Sequence, residues 1–379
     1  MKIPERTPTP PDAPARRTSP LAGLALLLFL FFGLLSSGHL ISVQGLITAP
    51  ASRQLFSTLH GAITQGWARQ LADAQMPTVF ARIERGAGWW LFGDLGPRVR
   101  QGCPGWLFLS DELAIDPQAQ AHADQKAAAV IDLNQQLSRR GVQLLVVIVP
   151  DKTRIAAAQR CALPRPAVLD ARIRQWAAQL DRHGVHTLDL TAVLSPLGAN
   201  AFWRTDTHWN ERGAQAAAEA ISARFIALKL TALPRQAFDL QNVAPALRPG
   251  DLVHLAGLDD LPLNLQPTPE RATRSVVSPR DEGSTPAPVS LGALLGDDDL
   301  PDTALVGTSF SRNSNFAGFL QRALGAPIGP FALDGGGFSG AMNAYLKSPA
   351  FKASTVRQII WEIPERDLQS AYNQAIGFR

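Results

Sequence analysis

Hydrophobic and polar positions divide the chain into an apolar N-terminal block, a poorly patterned lead-in and a long stretch where helix and strand patterns alternate. Leu21 to Leu35 is almost wholly apolar (LAGLALLLFLFFGLL), and Ser36 to Ile47 extends it weakly. A membrane-crossing helix needs roughly 20 such residues, so residues 21–47 are expected to form a transmembrane anchor, with a cleaved signal peptide as the alternative. The weak cleavage site Ser36-Ser37-Gly38 favours the uncleaved anchor. Residues 1–20 are Pro-rich and polar, with Lys2, Arg6, Arg16 and Arg17 against Glu5 and Asp12. They are expected to form a disordered cytoplasmic tail, which sends everything after the apolar block to the exported side. Residues 48–100 read as a helical lead-in that ends near Trp89-Trp90.

From about residue 120 the α/β alternation begins. His122 to Arg139 has helical apolar spacing, and Val142 to Val149 is a short, β-branched, continuously apolar run. Such runs mark a central parallel strand covered on both faces. It ends at Pro150-Asp151-Lys152, polar residues where open α/β sheets place their sites. Val168 to Arg182 reads as a helix stopped by Gly184, Val185 to Leu190 as a strand, and Glu211 to Leu228 as a long helix capped by Asn210. Residues 265–297 lack periodicity and read as a surface loop insertion. A last α/β block predicts a strand at Thr303 to Val306, a helix over about 313–324, a Gly-rich turn at Asp334 to Gly340 and a strand at Val356 to Glu362. The predicted fold is α/β: one three-layer domain over 101–379 around a central, mostly parallel sheet.

Composition narrows the function classes. With 46% hydrophobic residues in 379, the chain can bury a substantial core. The net charge of +4 is scattered, without a basic run, so nucleic acid is a poor partner. Two cysteines exclude a disulfide-dense scaffold and a four-cysteine zinc site. On the export side, Cys103 and Cys161 are expected to pair.

Two segments concentrate chemistry. Phe202 to Asn210 (FWRTDTHWN) sets a carboxylate and an imidazole two residues apart in a loop before a helix. Val306 to Arg312 (VGTSFSR) places Ser309 where an apolar strand ends in Gly and a helix follows. Serine needs a neutral histidine to take its proton, and a carboxylate to stabilise the imidazolium. Each segment alone also fits an ordinary loop or turn, and Asp206 with His208 also fits a metal-ligand pair. The other histidines are scattered singly, which argues against a zinc site, and no nucleotide fingerprint is present, so no cofactor is expected.

Taken in order, GWLFL (Gly105 to Leu109), VPDKTRI (Val149 to Ile155), WRTDTHWN (Trp203 to Asn210), GTSFS (Gly307 to Ser311) and WEIPER (Trp361 to Arg366) resemble the SGNH hydrolase-like domain of the AlgJ/AlgX alginate O-acetyltransferase family. The resemblance covers roughly residues 100–370 and is nearer the AlgJ type. It implies Ser309 as nucleophile, His208 as general base and Asp206 as its orienting partner, in the permuted order Asp, His, Ser that this family shows. More loosely it suggests Gly336, Gly337 and Asn343 for the oxyanion blocks, and Arg312, Arg366 and Tyr345 as substrate contacts. Trp203 and Trp209 suit stacking on sugar rings. The implied activity is acetyl transfer to hydroxyls of an exopolysaccharide, alginate-like or cellulose-like, on the periplasmic side of the inner membrane. The implied donor is a multi-span membrane acyl-transferase partner. Two rivals are a polysaccharide acetyl esterase and a non-catalytic polysaccharide-binding scaffold.

Overall fold

The computed structural model describes residues 20–44, 75–280, 300–352, 356–372 and 375–377. Residues 1–19 of the tail expected over 1–20, residues 48–74 of the lead-in and residues 281–297 of the expected insertion lie outside them. The chain divides into two compact units, Met1–Glu84 and Arg85–Arg379.

In the first unit, Pro20–Gln44 forms one helix of 25 residues, α1. From Gly23 to Leu35 its described side chains are exposed. Among the described residues no helix is long and apolar enough to cross a membrane. The anchor expected over 21–47 is therefore not met there, and residues 45–47 are not described. A second helix, α2 (Gln75–Phe92), fits the helical lead-in.

The second unit contains a short antiparallel pair, β1 (Val99–Gln101) with β2 (Leu107–Leu109). Helix α3 (Ala119–Ser138) leads to β3 (Gln143–Val149), and α4 (Arg172–Asp181) leads to β4 (His186–Asp189). Helix α5 (Glu211–Ala227) starts where the Asn210 side chain accepts from Gly213 N–H at 3.0 Å. A long antiparallel ribbon follows, β5 (Phe238–Arg248) against β6 (Glu270–Pro279). The chain then returns through β7 (Thr303–Gly307), α6 (Phe316–Leu324), β8 (Gly329–Ala332), α7 (Gly340–Lys347) and β9 (Gln358–Pro364).

The five-stranded sheet runs β4-β3-β9-β7-β8, and every pairing in it is parallel. Side chains alternate across a strand, and β3 shows the consequence. Leu144, Val146 and Ile148 face a core with Val130 and Leu133 of α3 and Trp176 and Leu180 of α4. Leu145, Val147 and Val149 face the other core, with Ile221 and Phe225 of α5 and Phe319 and Leu320 of α6. These are the three layers the continuous apolar strands predict.

Two expectations need correction. Residues 265–297 are not one unpatterned insertion, because Glu270–Pro279 is a strand paired with β5 over most of its length. A two-stranded ribbon lying largely in solvent needs no continuous apolar run, so its pattern is faint. The helix expected over 313–324 starts only at Phe316, after a separate helical turn Ser309–Arg312. Ser314 and Asn315, both with positive φ, bend the chain between them.

Cys103 and Cys161 are joined, with Cα atoms 5.0 Å apart across a separation of 58 residues. Closing such a loop stabilises by about 4 kcal/mol in the chain-entropy treatment.

Candidate active site

The loop between Ala201 and Asn210 is a closed aromatic clamp. Phe202 and Trp209 form an antiparallel bridge and are almost wholly buried in the α5/α6 core. Burying one such ring stabilises by about 1.5–3 kcal/mol, which holds the polar tip of the loop outward. Trp209 packs edge-on to Phe310, 5.1 Å between ring centres, and against Phe316 at 4.7 Å. It is therefore a core residue. The expectation that it stacks on a sugar ring is wrong, because its indole is 0% exposed.

At the loop tip, His208 Nε2 lies 2.6 Å from Ser309 Oγ, and His208 Nδ1 lies 2.7 Å from Asp206 Oδ1. Asp206 also accepts from the His208 backbone N–H at 2.9 Å and from Arg248 at 2.8 Å. Burial alone would raise the Asp206 pKa. The hydrogen bond and charge of His208, with Arg248 beside it, hold the carboxyl well below the usual carboxylate range. An ionised carboxylate only accepts, so the His208 proton sits on Nδ1 and the Nε2 lone pair faces the serine.

Ser309 opens the helical turn after β7, capped by Thr308 Oγ1, which accepts from Phe310 N–H at 3.2 Å. Its neighbour Ser311 is buried and donates to Glu362 of β9 at 3.0 Å. The two serines are thus separated: Ser309 faces His208, and Ser311 ties the turn to the sheet. Gly307 makes this packing possible, since a Cβ there would overlap Ser311 Oγ and the Glu362 carboxylate.

The ribbon and its flanks supply groups that the sequence patterns did not reveal. Glu270 at the start of β6 accepts from the N–H groups of Arg204 and Thr205, at 2.7 and 3.2 Å. Arg248 at the end of β5 bonds Asp206, reaches Asn313 Oδ1 at 3.3 Å and lies over the Trp203 ring at 5.5 Å. Asn313 in turn donates to the Ser309 carbonyl at 2.9 Å. Asp251 accepts from Thr207 N–H at 2.7 Å and from Thr207 Oγ1 at 2.5 Å. Gly250 lies so close to the Thr205 carbonyl that no Cβ would fit. A Pro-Gly-Asp run after an arginine is the only signal in the sequence that points to this contact.

Asp206, His208 and Asp251 also offer three ligand atoms within 4.8 Å of one another. Those atoms already meet protein donors from Arg248, Thr207 and the histidine itself, and a cation there would displace them. The donor set fits a proton relay better than a metal centre.

The remaining sequence candidates fall elsewhere. Tyr345 is buried in the core on the opposite sheet face, between Phe331 and Phe351. Its expected substrate contact is therefore corrected. Asn343 on α7 donates to the Ala375 carbonyl at 3.2 Å, and so does not serve an oxyanion. Gly336 and Gly337 lie in the turn before α7, where Gly336 N–H donates to the Leu333 carbonyl. Arg312 pairs with Asp334, and the Arg366 guanidinium sits 5.4 Å from the Phe310 ring centre. Trp203 does reach the surface, donating to Ser314 Oγ at 3.0 Å and lining a cavity of about 550 Å³ with Arg248, Arg274, Arg312 and Asn313.

A parallel α/β sheet with serine, histidine and carboxylate at its carboxyl edge defines a domain of the SGNH hydrolase-like class. The chain belongs to the family described as "SGNH hydrolase-like domain, acetyltransferase AlgX", whose family model matches residues 99–365. It is 34% identical over 354 residues to a probable alginate O-acetylase AlgJ of Pseudomonas putida, covering 89% of this chain and 88% of the relative. It is 31% identical to an alginate biosynthesis protein AlgX of Azotobacter vinelandii, covering 65% of this chain but 51% of that one. Among solved structures, the O-acetyltransferase domain of Pseudomonas putida AlgJ is similar with a TM-score of 0.63 and 31% identity, covering 73% of this chain and 94% of that domain.

Proposed function

We propose that the protein is an O-acetyltransferase acting on hydroxyls of an alginate-like polysaccharide outside the cytoplasm. The observation that carries this is the 2.6 Å approach of His208 Nε2 to Ser309 Oγ, with Asp206 behind the imidazole. His208 takes the Ser309 proton as Oγ attacks the acetyl carbonyl, then gives it to the departing donor group, which leaves acetyl-Ser309. A sugar hydroxyl then attacks that ester while His208 accepts its proton and returns it to Ser309. The donor we take to be a multi-span membrane acyl-transferase.

In the cavity beside Asn313, Arg274 supports a uronate polymer over neutral cellulose, since guanidinium groups pair with carboxylates. Arg248 and Arg312 already pair with Asp206 and Asp334, and Glu211 adds an acidic group to the lining. With an acetyl ester as donor, the full chain in detergent is expected to acetylate an oligomannuronate. Release of acetate alone in the presence of the oligosaccharide would make it an esterase, and no turnover at all would leave a scaffold.

The proposal includes attachment through residues 21–47, supported by the exposed apolar surface from Leu24 to Leu35. The chain is then expected to stay with the membrane pellet after an alkaline carbonate wash. Release into the wash would remove the anchor.

A further inference from the structure

Lys152 is a charged side chain in a place that ordinarily excludes one. It begins the helical turn Lys152–Ile155 directly after β3, and it is 1% exposed. Its ammonium donates to three main-chain carbonyls: Leu107 at 2.6 Å, Arg204 at 2.8 Å and Asp206 at 3.0 Å. The rings of Trp106 and Phe108 lie 5.2 and 5.1 Å from Nζ. An ammonium has three protons, and all three are used. None of the ion pairs among the described residues includes it, so it acts on the backbone.

Two of those carbonyls flank Thr205 in the loop that carries Asp206 and His208. The third belongs to β2, whose Leu107 N–H also donates to the Arg204 carbonyl at 2.9 Å. One side chain therefore pins the inner wall of the loop to β2, while Glu270 and Asp251 hold its outer N–H groups. We propose that Lys152 is a positioning residue of the acetyl-transfer reaction, whose ammonium sets the shape of the Asp206–His208 loop by filling three converging carbonyls. An apolar side chain of equal length takes the ammonium donor from all three carbonyls and leaves the Arg204 carbonyl with Leu107 N–H, so the loop must move to satisfy the others. A displacement of about 1 Å at such a site costs about 100-fold in rate.

The charge state follows from the surroundings. Burial lowers the Lys152 pKa to about 8, although Glu112 in the turn after β2, Asp206 and Asp251 around the imidazole, and Glu270 on β6 all raise it. Arg366 faces the same Glu112. Above that pH the neutral amine has two donors, and its lone pair meets a carbonyl. Stability moves the opposite way. The unfolded chain keeps its proton up to about 10.5, so folding becomes more favourable as pH rises from about 8 to 10.5. Opposed trends in activity and stability separate positioning from a purely structural role.

The kinetic arm of the test rests on the proposed acetyl-ester chemistry, and an exchange arm does not. In the full chain, Lys152→Met is expected to lower kcat for a chromogenic acetyl ester about 100-fold at little changed KM. It should also speed backbone hydrogen exchange over residues 203–208, with an equal or higher melting temperature. Wild-type turnover should fall above pH about 8 while the melting temperature does not, and Lys152→Arg should move that fall upward. Full kcat in Lys152→Met, or an alkaline fall unmoved in Lys152→Arg, overturns the proposal. If the wild type shows no Ser309-dependent turnover, the acetyl-transfer reading fails by itself. Exchange then decides for Lys152: faster exchange in the methionine variant supports it, and unchanged exchange overturns it. Should the methionine variant not fold, the wild-type pH profile and Lys152→Arg carry the test.

Discussion

Ser309→Ala is expected to lower acetyl-ester turnover by about 10³-fold or more while the fold, followed by circular dichroism, stays intact. Ser309 is half-buried and its Oγ lies 2.6 Å from His208 Nε2, so removing the oxygen removes the atom that the imidazole would deprotonate. His208→Ala is expected to fall nearly as far, because without a base at Nε2 the hydroxyl keeps its proton. Members of such a unit act together, and the double variant should lose little beyond either single one. Ser311→Ala is the informative control. Ser311 donates to the buried Glu362, whose pKa burial raises, so its loss should act on stability more than on turnover. Abolished turnover in Ser311→Ala with activity kept in Ser309→Ala would move the nucleophile by two positions.

Asp206→Asn is the second large effect, on the scale of about 10⁴-fold in kcat. Asp206 accepts from both the backbone and the ring of His208, and also from Arg248. Its depressed pKa has a defined sign: the ionised pair stabilises the fold above the unfolded value of 3.8 and that stability is lost as pH falls below it. At neutral pH the carboxylate is therefore charged and selects the Nδ1–H tautomer. An asparagine amide can present N–H to Nδ1, which turns the proton to Nε2 and blocks proton removal from serine. Stopped-flow turnover near neutral pH measures the loss. Wild-type rates in Asp206→Asn would show that Asp251, 3.6 Å from His208 Nδ1, orients the imidazole without it.

Much of the sheet was legible because parallel strands buried on both faces write themselves as unbroken apolar runs. Gln143–Val149 and Gln358–Pro364 are of this kind. Ser309, His208 and Asp206 were legible because their neighbours, an apolar strand ending in Gly and an aromatic-flanked loop, mark special geometry. The supporting groups were not. Arg248, Asp251 and Glu270 come from an exposed ribbon and its ends, where polar residues are the rule and pairing leaves little pattern. Lys152 reads as a polar residue at the carboxyl end of a strand, and nothing in that pattern reveals its burial against backbone carbonyls. Trp209 and Tyr345 erred the other way: a large ring near a polar motif can serve the core as readily as a ligand, and only packing separates the two. The helix expected over 313–324 begins only at Phe316, because the positive φ at Ser314 and Asn315 leaves no apolar signature.

The most direct measurement is the mass of the Ser309 peptide after brief exposure of the protein to an acetyl ester without acceptor, quenched in acid. One added acetyl group on the peptide containing Ser309, absent in Ser309→Ala and discharged when oligomannuronate is added before the quench, is the expected result. Acetyl found on another residue, or product formed in rapid-quench samples with no acetylated Ser309 at any time, would contradict transfer through this serine.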